Sequence, residues 1–348
     1  MSWHIVLGPP GTGKTTTLLS LVEKFLEEGV PPHRIGYLAF TRKAANEALD
    51  RAIERFGIDK NELVYFRTIH SLCYHWLGLD TTNVMSNAHY RQFSKLMGEP
   101  LTGSNRFDEG PINGMCKGDQ MLFQENLARS RLIPYKDQWQ KSRLPVAWNH
   151  MDWFCRGLKK FKEERYLTDY TDMLSLFVKE TTVPKLQVLI IDEAQDLSLL
   201  QWQCIQKLAE EAEEVYVAGD DDQAIYQWAG ADTSTFINLK GKEVLLQQSY
   251  RTPTKVFDIA QGILNRIPSN QRRRKLWNPR EEDGKVSFYS SHNYVDFSKG
   301  QWLVLGRNNY LLNQAEESLR QQGFLYERKQ RLSVKEKLLF AVQNWELL

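Results

Sequence analysis

Leu7-Gly8-Pro9-Pro10-Gly11-Thr12-Gly13-Lys14-Thr15 is the stretch whose reading decides the fold. It follows the apolar run His4-Ile5-Val6-Leu7 and precedes a helical pattern from Thr17-Leu18-Leu19 to Val22 and Phe25. Gly8, Gly13, Lys14 and Thr15 have the spacing of a phosphate-binding loop, and a strand before and a helix after are the context that loop needs. Glycines let successive backbone N–H groups turn inward around phosphates, and the helix start adds the positive end of its dipole. Lys14 is placed to reach the β- and γ-phosphates, and the Thr15 hydroxyl to hold Mg²⁺. The stretch predicts an α/β protein built on a parallel P-loop sheet, with residues from Gly8 to Thr16 (Pro9, Pro10, Gly11, Thr12, Gly13, Lys14 and Thr15 between them) around a nucleoside triphosphate.

A chain of 348 residues exceeds one ordinary domain, so two lobes and an insertion are expected. Its net charge is only +2, so nucleic-acid contact must come from local clusters. No apolar run reaches the length that spans a bilayer. The first strand begins almost at Met1, which leaves no room for a signal peptide. Cys73, Cys116, Cys155 and Cys204 are widely spaced, with no CxxC pair to suggest a metal cluster. These features lead to the expectation of a cytoplasmic protein with buried thiols.

Working outward, Ile35–Phe40 reads as a second buried strand, followed by a helix with Ala44, Ala45, Ala48, Leu49, Ala52 and Ile53 on one face. Thr41-Arg42-Lys43 puts a hydroxyl and two cations at the start of that helix. Cations there oppose the dipole, so an anion explains them better than helix stability does, unless they form a simple exposed basic cap. Leu63–Phe66 reads as a third strand, and Thr68-Ile69-His70-Ser71 opens another helix. Residues 79–165 read as an inserted, mainly helical subdomain, with a long loop over Gly98–Asp119. Within it, Trp139, Trp148 and Trp153 lie among Arg143, Arg156, Lys159, Lys160 and Lys162, either as a helical core with a solvated face or as a nucleic-acid surface.

Val188-Leu189-Ile190-Ile191 then runs into Asp192-Glu193-Ala194-Gln195-Asp196. Acids at the carboxyl end of an all-apolar parallel strand lie beside the phosphate loop, because ligands bind at that edge. Asp192 is the candidate Mg²⁺ ligand and Glu193 the candidate general base. Another strand, Val215–Ala218, ends in Gly219-Asp220-Asp221-Asp222-Gln223, where Gln223 is placed to sense a γ-phosphate. Tyr226 and Trp228 follow, and aromatics in such a short acidic loop suit base stacking. The basic run Gln271-Arg272-Arg273-Arg274-Lys275 reads equally as a phosphate grip or an exposed loop.

The ordered set GPPGTGKT, AFTRKAA, TIHS, DEAQD, GDDDQAIYQWAGA and SYRTP, from Gly8 to Pro253, closely resembles the superfamily 1 DNA helicases of the UvrD/Rep type. Asp169-Tyr170-Thr171-Asp172-Met173 resembles the acidic–aromatic segment that this family shows before its DEAQD strand. The resemblance implies two RecA-like lobes, here 1–240 and an incomplete lobe over 241–348, in which Trp302–Gly306 and a helix to Gly323 form a strand–helix unit. It implies ATP with Mg²⁺ in the cleft, and opening and closing that ratchet a single DNA strand, usually 3′ to 5′, with separation of duplex at junctions. Besides Lys14, Thr15, Asp192 and Glu193, it casts Gln223 as γ-phosphate sensor, Tyr250 against the adenine and Arg251 as arginine finger. Phe40 and Trp228 become base-stacking residues, and Thr41, Lys43, His70 and Ser71 become contacts to the DNA backbone. A monomer is expected.

The chain departs from the family pattern in three respects. Only seven residues precede Gly8, so the adenine-reading glutamine segment is missing, and Thr16 stands where the family often has an arginine. Convincing copies of the last two family motifs are not found, which leads to the expectation that residues 1–348 are a fragment of a longer helicase. A non-unwinding, ATP-regulated clamp is the alternative class. A nuclease-coupled helicase is a third, lowered because the sequence offers no nuclease-like cluster of acids with a lysine.

Overall fold

The computed structural model describes residues 2–102, 116–328, 331–334 and 338. Its centre is a six-stranded sheet made from β1 (Ser2–Leu7), β2 (Ile35–Ala39), β3 (Phe66–Thr68), β4 (Val188–Ile191), β5 (Glu214–Gly219) and β6 (Lys242–Leu245). The strand order is β3-β2-β4-β5-β1-β6, and every pairing is parallel. Buried parallel strands carry apolar residues on both faces, and alternation sends neighbours to opposite cores. Ile5 and Leu7 join Leu38, Ile191 and Val217 on one side, whereas Val6 joins Tyr37, Ile190 and Ala218 on the other.

Helices cover both faces. α1 (Lys14–Glu27) buries Leu18, Leu19, Val22 and Phe25, and α2 (Arg42–Phe56) buries Ala45, Ala48, Leu49 and Ala52. Both pack on the Val6 side. α3 (Ile69–Trp76) lies on the opposite face. The expected strand over Leu63–Phe66 is shifted. Leu63 is buried in a turn, and the strand proper starts at Phe66, although the Tyr65 carbonyl already accepts from Tyr37 N at 3.0 Å.

Between β3 and β4 come α4 (Asn87–Met97), α5 (Lys117–Ser130), α6 (Tyr135–Lys141), α7 (Trp148–Glu164) and α8 (Tyr170–Lys179). The first four share a core of their own around Phe93, Met121, Phe154 and Leu158, while α8 gives Met173, Leu174 and Phe177 to the sheet. The loop expected over Gly98–Asp119 overruns the first turn of α5, and its centre, 103–115, lies outside the described residues. Trp139 and Trp148 pack together at 5.7 Å against this core, which favours the helical-core reading for these two, and Trp153 is exposed.

α9 (Leu199–Ala209) and α10 (Thr233–Asn238) precede β6, and a separate pair, β7 (Gln248–Pro253) with β8 (Asn278–Arg280), flanks α11 (Thr254–Leu264). The chain divides into two units, 1–105 with 112–285, and 106–111 with 286–348. In the second, the described elements are α12 (Asn309–Gln321) and a two-stranded antiparallel sheet of β9 (Glu327–Arg328) and β10 (Arg331–Leu332). The strand expected at Trp302–Gly306 is not formed. The run is irregular, with Leu303 and Leu305 each 81% exposed. Among the described residues the run pairs with no strand, and an apolar run alone does not make one.

Candidate active site

The turn from β1 into α1 is shaped by its glycines. A Cβ on Gly8 would fall 1.9 Å from Lys14 Cγ, so only glycine lets the lysine fold back over the loop. Gly11 and Gly13 have φ of 72° and 80°, the left-handed region that side chains disfavour. Thr12 Oγ1 donates to the Pro9 carbonyl at 2.8 Å and closes the turn. No side chain caps α1 at Gly13, which leaves first-turn N–H groups of Lys14, Thr15 and Thr16 facing the loop. Such a concavity of donors fits a phosphate. Lys14 Nζ donates to the Gly8 carbonyl at 3.0 Å and lies 3.8 Å from Glu193 Oε1. Thr16 opens onto a shallow cleft with Leu19, Arg51, Glu54 and Arg55.

The acids stand at the end of β4. Asp192 is buried, its N–H continues the ladder to the Leu38 carbonyl at 2.9 Å, and Oδ2 accepts from Tyr37 at 2.9 Å and from Thr15 Oγ1 at 3.4 Å. Burial first, and then the charge of Glu193, holds its carboxyl above the usual carboxylate range, against the pull of the Tyr37 hydroxyl and Lys14. The paired oxygens of Thr15 and Asp192 fit a hard divalent cation. Glu193 adopts φ 55°, a conformation uncommon outside glycine and frequent at functional sites. Gln195 holds it there, donating to Glu193 Oε2 at 2.8 Å. Asp196 is pushed up to about 7 by burial and then by Glu193.

Gln223 follows β5. Its Nε2 donates to Asp220 Oδ2 at 2.5 Å, and the Asp220 backbone N–H donates to Gln195 Oε1 at 3.0 Å, so Gln223 and Glu193 are joined through the carboxylate and backbone of Asp220 and the side chain of Gln195. The basic run 271–275 is only partly exposed. It is extended, so alternation turns Arg273, Lys275 and Trp277 inward and leaves Arg274 and Leu276 exposed. The Lys275 side chain is 0% exposed and reaches Asp220, Asp221 and Asp222 at 2.6, 2.5 and 2.9 Å. Arg272 pairs with Asp222 at 2.8 Å, and Arg273 donates to the Phe236 carbonyl and pairs with Glu243. Arg272 and Lys275 are thus taken up by the acids that follow β5, and Arg274 stays exposed.

β7 docks on the phosphate loop. Ser249, fully buried, donates from Oγ to the Pro10 carbonyl at 2.7 Å, and the Tyr250 N–H donates to the Gly11 carbonyl at 2.9 Å. The Arg251 and Thr252 N–H groups return to Ser249 Oγ at 3.3 and 3.1 Å. A Cβ on Gly11 would lie 2.3 Å from Arg251 Cβ, so this glycine also permits the approach of β7. The side chains of Tyr250 and Arg251 are exposed.

The candidate DNA residues follow the carboxyl ends of β2, β3 and β5. Phe40 packs on Tyr226 at 5.3 Å. Thr41 caps α2 through its Oγ1, which accepts from Ala44 N at 3.1 Å, and Lys43 is exposed. His70 and Ser71 open α3, with Ser71 N donating to Thr68 Oγ1 at 3.2 Å. His70 meets Tyr170 edge-on at 6.0 Å, and burial followed by the charge of Arg42 pushes it down to about 4. Trp228 is half-buried and stacks on Phe123 of α5 at 6.3 Å, in a loop that Arg131 fastens by donating to the Gln227 carbonyl at 2.9 Å. The nucleotide candidates and the DNA candidates therefore share one edge of one sheet, with Gln223 and Trp228 in the same loop.

Four residues of this network received no role from the sequence, Tyr37, Gln195, Asp220 and Ser249, and Lys275 entered only as part of the basic run. Tyr37 alone had a signal, a hydroxyl within an otherwise apolar strand that the fold sets beside β4. Ser249 and Lys275 are polar groups whose partners lie far away in the chain, and Gln195 and Asp220 combine near partners with the distant contact between them.

The model of the UvrD/REP helicase N-terminal domain matches residues 2–243. The ATP-dependent DNA helicase PcrA of Bacillus subtilis (strain 168) is 26% identical over 370 aligned residues, covering 99% of this chain and 48% of that protein. PcrA of Leuconostoc citreum is 23% identical, with 90% of this chain and 46% of that protein covered. PcrA of Staphylococcus aureus (strain NCTC 8325 / PS 47) is 23% identical, with 82% and 41% covered. The chain spans about half the length, or less, of these curated relatives.

Proposed function

The chain belongs to the UvrD/REP helicase family, and from that premise we propose that it is the ATP-hydrolysing part of a motor on single-stranded DNA. The observation that carries this reading is the convergence, at one edge of the sheet, of Lys14, Thr15, Asp192 and Glu193, with Thr15 Oγ1 3.4 Å from Asp192 and Lys14 3.8 Å from Glu193. The named relatives are ATP-dependent DNA helicases, which supports ATP as the substrate.

In this reading the backbone N–H groups of the loop and the Lys14 ammonium take the β- and γ-phosphate charge. Thr15 and Asp192 would hold Mg²⁺, which would supply neutralisation of the phosphate oxygens. Glu193 accepts the proton of the water that attacks the γ-phosphorus, and ADP leaves. Gln223 senses the γ-phosphate. Tyr250 lies against the base, and Arg251 stabilises the charge that develops on the transferred group. Phe40 and Trp228 stack on bases of the strand, while Thr41, Lys43, His70 and Ser71 hold its backbone. The γ-phosphate state reaches the strand because Gln223 and Trp228 share one loop. A first lobe over 1–240, interrupted at 79–165, and part of a second lobe over 241–348 belong to the same proposal, as do 3′-to-5′ movement and duplex separation.

The test is ATP turnover by this chain with and without oligothymidine, and with Lys14→Ala as control. Turnover that rises with the oligonucleotide and vanishes in the variant is expected. Turnover indifferent to both would remove the motor reading.

A further inference from the structure

Lys275 is the most completely enclosed charge of the site, and nothing in the proposed chemistry uses it. Three consecutive aspartates, Asp220, Asp221 and Asp222, surround its ammonium. Without a cation those carboxylates would repel one another in a region largely closed to water. A purely structural salt bridge would end there. Here the Asp220 carboxylate is divided: Oδ1 takes Lys275 Nζ at 2.6 Å, and Oδ2 takes Gln223 Nε2 at 2.5 Å. The Asp220 N–H goes to Gln195 Oε1, and Gln195 Nε2 goes to Glu193 Oε2. Arg273 fastens the same segment through its N–H to Asp221 Oδ2 at 2.8 Å and its guanidinium to the Phe236 carbonyl.

We propose that Lys275 is a positioning residue for ATP hydrolysis, which fixes the rotamer of Asp220 and through it the side chain of Gln223. The inference rests on the reading of Gln223 given above. It makes the segment 271–277 part of the hydrolytic site, although that segment touches no phosphate. With the ammonium gone, Asp220 is free to turn toward Asp222 N, which already donates to its Oδ1 at 3.2 Å, and Gln223 loses its acceptor. Misplacement of a reacting or sensing group by about 1 Å is enough to cost roughly 100-fold in rate.

The experiment is a double-mutant cycle on kcat for DNA-stimulated hydrolysis, using Lys275→Met, which keeps the length of the side chain without its charge, and Gln223→Ala. Nucleotide affinity is measured beside it with a fluorescent ATP analogue. Lys275→Met is expected to lower kcat by roughly 10- to 100-fold with nucleotide affinity unchanged. Combined with Gln223→Ala it is expected to add no further loss, because residues that act through one group are not additive. Wild-type kcat in Lys275→Met beside a slow Gln223→Ala would overturn the proposal and leave the reading of Gln223 standing, and so would a double mutant slowed by the product of the two effects. Wild-type kcat in Gln223→Ala would instead sink that reading, and the proposal with it. If Lys275→Met does not fold, Asp220→Asn serves. Its carboxamide puts an NH₂ donor in place of one of the two oxygens that accept from Nζ and Nε2, while Lys275 keeps Asp221 and Asp222. The same loss and the same non-additivity are expected, and wild-type kcat in Asp220→Asn overturns the proposal.

Discussion

The Tyr37 hydroxyl donates to Asp192 Oδ2 at 2.9 Å, from a side chain that is otherwise enclosed in the sheet's core. A core position filled by tyrosine where phenylalanine would pack equally well implies work for the oxygen, since a buried hydroxyl is unfavourable without a partner. Partners behind a metal-holding carboxylate set its orientation, and losing one typically weakens metal affinity by roughly 10- to 100-fold. Tyr37→Phe is therefore expected to raise the Mg²⁺ concentration at half-maximal ATP turnover by that order, with little change in thermal stability without nucleotide. A Mg²⁺ titration of turnover checks this, and an unchanged midpoint would reduce Tyr37 to packing.

Lys14 and Glu193 are expected to separate binding from chemistry. Lys14→Ala removes the loop's own cation and should abolish turnover. Glu193→Gln keeps the shape of the side chain and its contact with Gln195, so nucleotide should still bind while hydrolysis is lost, because a carboxamide does not accept the water's proton. Turnover near the wild-type level in Glu193→Gln would remove it from the base role.

His70 carries a pH signature. Its pKa is pushed down from 6.5 to about 4, by burial first and Arg42 second, so above pH 5 the imidazole is neutral. The unfolded chain binds the proton near 6.5 and the folded chain only near 4. Its contribution to stability is therefore fully present above about 6.5 and is lost progressively as pH falls toward 4. His70→Gln should flatten that part of the acid slope in urea unfolding, and its effect on single-strand affinity should be the same at pH 6 as at pH 8. An affinity difference that grows as pH falls would mean that His70 binds phosphate as a cation.

What the sequence made legible follows from locality. The phosphate loop, its flanking strand and helix, and the acids after Val188–Ile191 are contiguous signals, and the fold places them where an open parallel sheet binds ligands. The basic run 271–275 was opaque for the opposite reason. Its cluster of cations reads as solvated, and their partners Asp220–Asp222 lie some fifty residues upstream, visible only once β5 and the extended segment are side by side. Trp302–Leu305 failed differently. Its composition is that of a strand, but a strand also needs a paired neighbour, and among the described residues this run pairs with none.

Trp228 is the residue on which the DNA reading is most exposed to refutation. Its ring is half-buried on Phe123, so packing alone accounts for part of its presence. Such an aromatic pair is worth about 0.5–1.5 kcal/mol beyond area burial, whereas stacking on a base contributes roughly 1–3 kcal/mol to single-strand binding. The two are separable because packing is read in stability and stacking in affinity. Trp228→Ala should weaken oligothymidine binding by roughly 1–3 kcal/mol, leave ATP affinity unchanged, and leave the dependence on salt concentration unchanged too, since an indole neutralises no phosphate. Lys43→Ala should do the reverse to the salt dependence, lowering the slope by about 0.7 for the single phosphate that the side chain no longer neutralises. Fluorescence anisotropy over a salt series measures both variants at once. Oligothymidine affinity unchanged in Trp228→Ala, together with a lowered melting temperature, would return the indole to the packing of α5 and leave Phe40 as the stacking residue of this edge.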